Sequence, residues 1–411
     1  MAQSLKGKSP FYPGQPVPRV LFAGRIAQIE HIIERGVKQV ANGKPVAIYV
    51  QGEYGIGKSS IAGFVQWLAE QEYGLHGIYV PLGPTENLND VGSAVLEETL
   101  RSGAFHPTRS EKVRAWLAKY VGEQSLAGIT IHTEALRRDA PMLASASGIL
   151  PFLREAVERL KETGVRGIFL ILDEINGIAS NPKFAHFIKG IVDTNAMSSN
   201  PLPLLLMLCG VEERRQEMIR HHQPVDRIFD VIEIAVMSMG EMRDFFERAF
   251  ASVRMRVEPE AMELMIEYSA GFPKIMHLVG DAAFWRDQDG VINKEDALQA
   301  VLVAADEVGK KYVDQQVYRA LRSKDYHSIL SKIARTAPGS LSFKRADVIG
   351  LTDTERRKFS NFLRKMRDLK VLRLGDVSGE YVFNVRMVQL YIWLKSFQET
   401  ATAPPSSPPN K

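Results

Sequence analysis

Eight consecutive residues early in the chain have the types and spacing needed to bind the phosphates of a nucleotide. The phosphate-binding loop pattern G-x-x-x-x-G-K-[S/T] is matched by Gly52-Glu53-Tyr54-Gly55-Ile56-Gly57-Lys58-Ser59. Its glycines let backbone N–H groups point at phosphate oxygens, and Lys58 adds a full positive charge. The Ser59 hydroxyl is expected to coordinate Mg²⁺, and Ser60, the next residue of the following helix, is expected to contact the nucleotide. The loop predicts ATP and Mg²⁺ as ligands; the alternative is a glycine turn before a helix.

A strand that ends in two carboxylates provides the second half of the predicted site. The apolar run 167–172 is followed directly by Asp173 and Glu174. Because the carboxyl ends of parallel strands meet at one edge of a sheet, we expect this pair beside the phosphate loop. Asp173 is expected to hold the Mg²⁺ shell, and Glu174 to orient and polarise the attacking water. The alternative is an ordinary polar turn after a strand.

The elements that position these residues alternate along the first half of the chain. Runs typical of buried strands occur at 46–50, 77–82, 168–172 and 204–208. Helical apolar spacing occurs at 26–40, 60–70 and 91–100. This alternation predicts an α/β fold with a doubly wound parallel sheet and helices on both faces. Between 105 and 147 the periodicity weakens, so we expect an elaborated crossover or an insertion with a short strand at 128–132.

The second half of the chain has a different pattern. From 238 to about 313 amphipathic helical segments occur without strands, which predicts a small helical domain. Residues 325–397 follow the order helix, short helix, turn, longer helix and hairpin, which indicates a winged helix. The Pro- and Ser-rich tail 398–411 cannot bury a core and is expected to be disordered.

Composition limits the classes of protein that fit. The net charge of +4 over 411 residues is too small to indicate nucleic-acid binding by itself. The lone Cys209 excludes a disulfide framework within the chain and a cysteine-based zinc site. Residues 1–18 lack the apolar core of a signal peptide, and no later run is apolar over the roughly 18 residues of a membrane span. We therefore expect a cytoplasmic protein without a membrane partner.

Basic residues are concentrated in the predicted winged helix. Between 344 and 373 the sequence has ten basic and four acidic residues. A capping box at Thr352 and Glu355 predicts the start of a helix with Phe359 and Phe362 on its core face. The residues expected to contact double-stranded DNA are Arg356, Arg357, Lys358, Arg364, Lys365 and Arg373. The alternative is a solvated basic helix that contacts protein, and the two acids in the hairpin turn at 375–380 favour it.

Taken together, these motifs resemble an AAA+ ATPase of the origin-recognition initiator type over about 21–397. Phe22-Ala23-Gly24-Arg25 is similar to the family's N-terminal segment that packs near the adenine, which implies that Arg25 contacts the nucleotide. Gly271-Phe272-Pro273-Lys274 is similar to its sensor 2 motif, with Lys274 where an arginine is usual. Lysine can meet a phosphate oxygen but lacks the guanidinium fork. The resemblance implies an extended N-terminal segment 1–20, a core 21–237, a lid 238–315 and a winged helix 325–397.

Two further segments of the resemblance concern hydrolysis. Asp226-Arg227-Ile228-Phe229 is similar to the arginine-finger segment, which implies that Arg227 reaches the γ-phosphate held by a neighbouring subunit. The alternative is a surface arginine paired with Asp226 or Asp230. The strand 204–208 is similar to the sensor 1 strand, yet no Asn, Ser or Thr follows it. Hydrolysis is therefore expected to be slow.

The resemblance implies an ATP-hydrolysing switch that couples nucleotide state to DNA binding and to self-association through the core. Its catalytic residues would be Glu174, Lys58, Arg227 and Lys274. A STAND-type or transposon target-selection-like regulator that recruits a protein effector shares the same architecture and is the main alternative. A metabolic kinase fits less well, because such an enzyme closes over a small acceptor and needs no winged helix.

Overall fold

The computed structural model describes residues 7–13, 24–103, 106–121, 143–336, 341–375 and 377–401. The chain divides into two compact units, one formed by 16–235 and the other by 1–15 together with 236–411. The expectations for the strand at 128–132, for Phe22 and Ala23, and for the tail beyond 401 lie outside the described residues. None of the described helices is both long and apolar enough to cross a membrane.

A five-stranded parallel sheet forms the centre of the first unit. Its strands are β1 (Val46–Gln51), β2 (Leu75–Pro81), β3 (Gly167–Asp173), β4 (Leu204–Gly210) and β5 (Asp230–Glu233). They lie in the spatial order β2-β3-β4-β1-β5. All residues of β3 and β4 are buried, as expected of central parallel strands covered on both faces. The predicted α/β parallel-sheet class is confirmed.

Helices connect these strands. Helix α1 (Ile26–Ile32) continues through a π-helical segment (Ile33–Val37) into α2 (Lys38–Ala41). The others in this unit are α3 (Lys58–Glu72), α4 (Leu88–Arg101), α5 (Pro107–Val121), α6 (Ala146–Leu160), α7 (Pro182–Ala196) and α8 (Glu212–His221). Helix α5 lies where weak periodicity had suggested only an elaborated crossover. Its apolar face is narrow, with Val113, Trp116 and Leu117 buried among charged neighbours, which explains the weak pattern.

The second unit begins with four helices and one small sheet. The helices are α9 (Met239–Ser252), α10 (Pro259–Ser269), α11 (Pro273–Arg286) and α12 (Lys294–Val308). Strands β6 (Arg256–Val257) and β7 (Val291–Ile292) pair in parallel, so the expectation that this region lacks strands was wrong. Two residues are too few for alternation of apolar and polar side chains to be visible in the sequence.

The C-terminal elements of the second unit follow the order expected of a winged helix. They are α13 (Lys324–Thr336), β8 (Ser342–Lys344), a 3-10 turn (Arg345–Asp347), α14 (Asp353–Asp368), β9 (Leu372–Leu374), β10 (Glu380–Phe383) and α15 (Arg386–Ala401). The three strands form an antiparallel sheet in the order β8-β10-β9.

Helix α15 ends later than predicted and connects the predicted winged helix to the predicted lid. It extends to Ala401 rather than ending at 397, because Gln398 and Glu399 favour helix and the first helix-breaking residue beyond them is Pro404. Arg386 in its first turn forms an ion pair with Glu267 of α10, and its guanidinium lies 5.4 Å from the ring centre of Tyr268. The lid and winged-helix segments thus belong to one compact unit, and their separate bounds stay predictions.

The N-terminal segment contributes a core residue to this unit. Phe11 is 4% exposed, and its ring lies 4.9 Å from that of Phe250 in an edge-on contact. The backbone N–H of Tyr12 donates to Nδ1 of His277 at 3.1 Å. A Cβ at Gly280 would lie 2.3 Å from the Phe11 ring, so the glycine leaves room for it. Part of the predicted extended segment thus packs into the core of the second unit.

Truncation of the Phe11 side chain should lower the local stability of the second unit. We expect Phe11→Ala to lower the opening free energy of α9 and α11 by about 3 kcal/mol, since a buried aromatic contact is replaced by a cavity. Hydrogen exchange of the amides in these two helices should then be about a hundredfold faster. The control is Trp285→Ala in α11, because Trp285 is 55% exposed and its removal should change exchange little. Unchanged exchange in Phe11→Ala would contradict the anchoring role.

Candidate nucleotide-binding site

The predicted phosphate loop connects β1 to α3 at the carboxyl edge of the sheet. Gly55 and Gly57 have φ angles of 76° and 101°, which side chains other than glycine rarely adopt. Helix α3 begins at Lys58, so its first backbone N–H groups lie next to the loop. These N–H groups have no partner within the helix, and the helix dipole places partial positive charge there. The geometry suits an anion.

Lys58 supplies the cation of the loop. Its ammonium donates to the backbone carbonyls of Gly52 and Glu53, each at 2.9 Å. Burial lowers the pKa of Lys58, while Asp173, Glu53 and Glu174 act in the opposite direction. Strands β1 and β3 lie on either side of β4 in the parallel sheet, so the two predicted carboxylates and the loop lysine stand at the same carboxyl edge. The sheet thus brings together residues that are more than a hundred positions apart in the sequence.

The carboxylates at the end of β3 differ in burial. Asp173 is 2% exposed, whereas Glu174 is exposed at the surface of the site. The backbone of Glu174 has a positive φ of 55°, and its N–H donates to Oδ1 of Asp173 at 2.8 Å. A left-handed conformation is rare for glutamate, and rare backbone conformations of this kind are concentrated at functional sites. The buried carboxylate suits a metal shell, and the exposed one suits contact with water.

Tyr79 was missed by the sequence reasoning. It lies in β2, and its hydroxyl donates to Oδ2 of Asp173. The signal in the sequence was a phenol within the apolar strand run Ile78-Tyr79-Val80. Aromatic residues are common in strands for packing alone, so this signal did not single out Tyr79.

The Arg25 side chain binds backbone carbonyls of the phosphate loop and of the segment after β5. Its side chain is buried and donates to the carbonyl of Ile56 at 3.2 Å, and also to the carbonyl of Ala235. Arg25 itself has a positive φ of 64° and precedes α1 directly. The guanidinium thus connects the start of the unit, the phosphate loop and the segment after β5. A contact of Arg25 with the nucleotide stays a prediction.

The end of β4, where a sensor 1 residue is expected, carries a thiol. Cys209 is buried, pairs with Val50 of β1, and lies close enough to Asp173 and Lys58 for their charges to affect its pKa. Burial raises that pKa well above the ordinary value of a thiol, so Cys209 is neutral. Arg215, a few residues further on, donates through Nε to the Gln51 side chain at 3.1 Å. No Asn, Ser or Thr stands at this position.

Arg227 is exposed on the 3-10 segment Gln223–Ile228. Both acids proposed as its surface partners are engaged elsewhere. Asp226 pairs with Arg215 at 2.5 Å, and Asp230 with His31 at 2.8 Å. Arg227 forms no ion pair or hydrogen bond with the part of the chain that the structure describes. The alternative of a locally paired surface arginine is thus wrong as far as these two acids are concerned.

The remaining predicted residues belong to the second compact unit. Lys274 lies in the first turn of α11 and is partly buried. On α14, Arg356, Arg357 and Arg364 are exposed, as is Arg373 on β9. Lys358 forms an ion pair with Asp325 at 2.5 Å. Lys365 lines a surface pocket of about 450 Å³ together with Arg322, Tyr326 and Arg364.

Comparison with solved structures gives the family of folds. The ORC2 protein of Aeropyrum pernix, solved as ADPNP–ADP complexes, matches with a TM-score of 0.57 and 13% identity over 94% of this chain and 98% of that one. The chain has the fold of an origin-recognition-type AAA+ ATPase. A Walker-type ATPase of Pyrococcus abyssi matches this AAA+ fold with a TM-score of 0.53 and 14% identity, covering 90% of this chain and 96% of that one. Comparisons with protein-family models and with curated proteins give no match.

The residues of this AAA+ fold fit a hard divalent cation. Ser59 offers a hydroxyl oxygen from α3, and Asp173 offers a buried carboxylate from β3. Oxygen donors of this kind, completed by phosphate oxygens and water, are what Mg²⁺ prefers. Among the described residues no group of three or more His, Cys, Asp and Glu could hold a metal by itself.

Proposed function

We propose that this protein binds and hydrolyses ATP with Mg²⁺ and uses the nucleotide state to control DNA binding and self-association. The observation that carries the proposal is the convergence of Lys58, Asp173 and Glu174 at one sheet edge, on the fold of AAA+ ATPases. This convergence unites an anion site, a buried carboxylate and an exposed carboxylate. Phosphoryl transfer to water uses groups of these three kinds to hold the phosphates, the metal and the attacking water.

Each residue then has a distinct task. The loop amides and Lys58 hold the phosphates, and Ser59 and Asp173 hold Mg²⁺, which neutralises charge on the β- and γ-phosphates when bound. Glu174 positions a water and accepts its proton as the oxygen attacks the γ-phosphorus, while the bond from that phosphorus to the bridging oxygen breaks and ADP leaves. Lys274 contacts a phosphate oxygen in this proposal. Cys209 at the sensor 1 position is neutral and a weak hydrogen-bond donor, so turnover is slow.

Self-association is the second part of the proposal. Arg227 is exposed, and the acids nearest to it in sequence are paired with other residues. An arginine in this position is available to a neighbouring molecule. We infer that it reaches the γ-phosphate bound by the next subunit, where its planar cation would stabilise charge in the transition state.

DNA binding is the third part. Helix α14 begins with the predicted capping box at Thr352 and Glu355, and its buried face contains Phe359, Phe362, Leu363 and Met366. The opposite face exposes Arg357, Ser360, Asn361 and Arg364. Guanidinium, amide and hydroxyl groups contact both phosphates and base edges in a major groove. The charge and the side-chain types of this face support double-stranded DNA as the partner.

A salt titration tests the DNA contact. Removal of Arg357 and Arg364 together should weaken binding to duplex DNA and reduce the slope of log affinity against log salt by about 2, because two phosphate contacts are lost. In the wild type, affinity should be higher with ATP than with ADP. The matched control removes Arg243 and Arg248, which are also arginines of the second unit but are paired with Glu263 and Asp244. If the wild type, the variant and the control show the same slope of log affinity against log salt, α14 does not contact the DNA.

One observation favours recruitment of a protein effector instead. Leu374 and Val377 at the β9–β10 turn are 54% and 55% exposed, and the same turn carries Glu380. Apolar and acidic residues at this position suit a protein surface better than a phosphate backbone. Retention of a stable protein partner without DNA, lost in Leu374→Ser with Val377→Ser, would support this second function.

A further inference from the structure

The contact between Tyr79 and Asp173 follows from the register of the sheet. Tyr79 of β2 pairs with Ile171 of β3, and Asp173 lies two residues further along β3 on the same face. A long side chain can reach a diagonal neighbour of this kind. The Tyr79 hydroxyl donates to Oδ2 of Asp173, while Oδ1 accepts the N–H of Glu174 at 2.8 Å. Each carboxylate oxygen is thus fixed by one donor and keeps a lone pair.

Ser59 is the second polar neighbour of the phenol. Ser59 acts to lower the pKa of the phenol. Burial and the adjacent Asp173 carboxylate raise that pKa by much more, so Tyr79 keeps its proton. The phenol proton is directed at Asp173, one of the two residues that the sequence had assigned to Mg²⁺.

We propose that Tyr79 is a positioning residue of the Mg²⁺ site, which orients the Asp173 carboxylate towards the metal. Because the phenol proton is directed at Oδ2, the carboxylate cannot rotate. This proposal rests on the proposed function, since it requires that Asp173 binds Mg²⁺.

A purely structural role for Tyr79 makes a different prediction. Tyr79→Phe keeps the ring and its packing and removes only the hydroxyl. If the hydroxyl orients metal ligands, the variant should bind nucleotide normally without Mg²⁺, because the loop amides and Lys58 are untouched. If the hydroxyl instead supports the whole site, binding without Mg²⁺ should weaken as well.

The experiment measures the affinity of a fluorescent, non-hydrolysable ATP analogue in EDTA and across a Mg²⁺ titration. We expect the Mg²⁺ concentration for half-maximal effect to rise about tenfold in Tyr79→Phe, as is typical when a partner of a metal ligand is removed. Affinity in EDTA should stay within about twofold of the wild type. The matched control is Tyr49→Phe, since Tyr49 is a buried tyrosine of the same sheet whose hydroxyl donates to the Val211 carbonyl at 3.2 Å.

The outcomes distinguish a failure of the positioning role of Tyr79 from a failure of the proposed ATP and Mg²⁺ binding. A normal Mg²⁺ dependence in Tyr79→Phe, or an equal shift in Tyr49→Phe, overturns the positioning role. Weakened binding in EDTA also overturns it, because the hydroxyl would then act on the site as a whole. If the wild type shows no Mg²⁺-dependent affinity for the analogue, it is the proposed function that fails.

Discussion

Glu174→Gln is expected to lose ATP hydrolysis by about a hundredfold or more while its affinity for ATP stays within about threefold of the wild type. The amide matches the carboxylate in size but cannot accept the proton of the attacking water. Because Lys58 and the loop amides hold the phosphates, binding does not need this carboxylate. Steady-state phosphate release and the affinity of a fluorescent ATP analogue measure the two quantities separately.

The matched control for this variant is Glu86→Gln. Glu86 is an exposed glutamate in the segment after β2, and the exchange removes the same charge. It should hydrolyse ATP at the wild-type rate. Normal hydrolysis by Glu174→Gln would mean that another group takes the proton, and loss of binding would mean that Glu174 supports the phosphate loop instead.

Arg227→Ala is expected to reduce hydrolysis by roughly a thousandfold, the lower end of the effect of an arginine finger. The variant retains Lys58, Asp173 and Glu174, so each subunit can still bind ATP. Glu174→Gln retains Arg227 but cannot activate water. A mixture of the two inactive variants should therefore regain activity, because one subunit provides the arginine and the other provides the base.

Arg220→Ala is the control for this experiment. Arg220 is an exposed arginine of α8, on the same side of β5 in the sequence as Arg227. Its removal should leave hydrolysis unchanged. If Arg227→Ala is inactive and is not rescued by Glu174→Gln, Arg227 acts within its own subunit. If Arg227→Ala is active, Arg227 is a surface residue without a role in hydrolysis.

Local signals predicted much of the site. The phosphate loop is contiguous, and Asp173 and Glu174 directly follow a run that is apolar because β3 is central in a parallel sheet. The start of α14 is contained in the four residues of its capping box. In these cases the residues that determine the structure are neighbours in the sequence, so their types and spacing were enough.

Local signals failed where apolar residues were few or the segment was short. Helix α5 buries only a narrow face, and β6 and β7 have two residues each. None of the three therefore gave a clear periodicity of apolar residues in the sequence. The predicted end of the last helix at 397 was wrong for another reason. Nothing in Gln398 or Glu399 ends a helix, and the expected disorder was inferred from the prolines that begin only at Pro404.

The sequence by itself determined the class of fold and the chemical groups available at the nucleotide site, since those depend on contiguous patterns. Only the tertiary structure decided which distant groups meet. Tyr79 reaches Asp173 across 94 positions, and Tyr12 reaches His277 across 265. Partners at such separations are chosen by strand register and packing, which a single sequence does not display. For that reason Tyr79 and Phe11 resembled ordinary aromatic residues until the fold placed them beside a carboxylate and in an aromatic core.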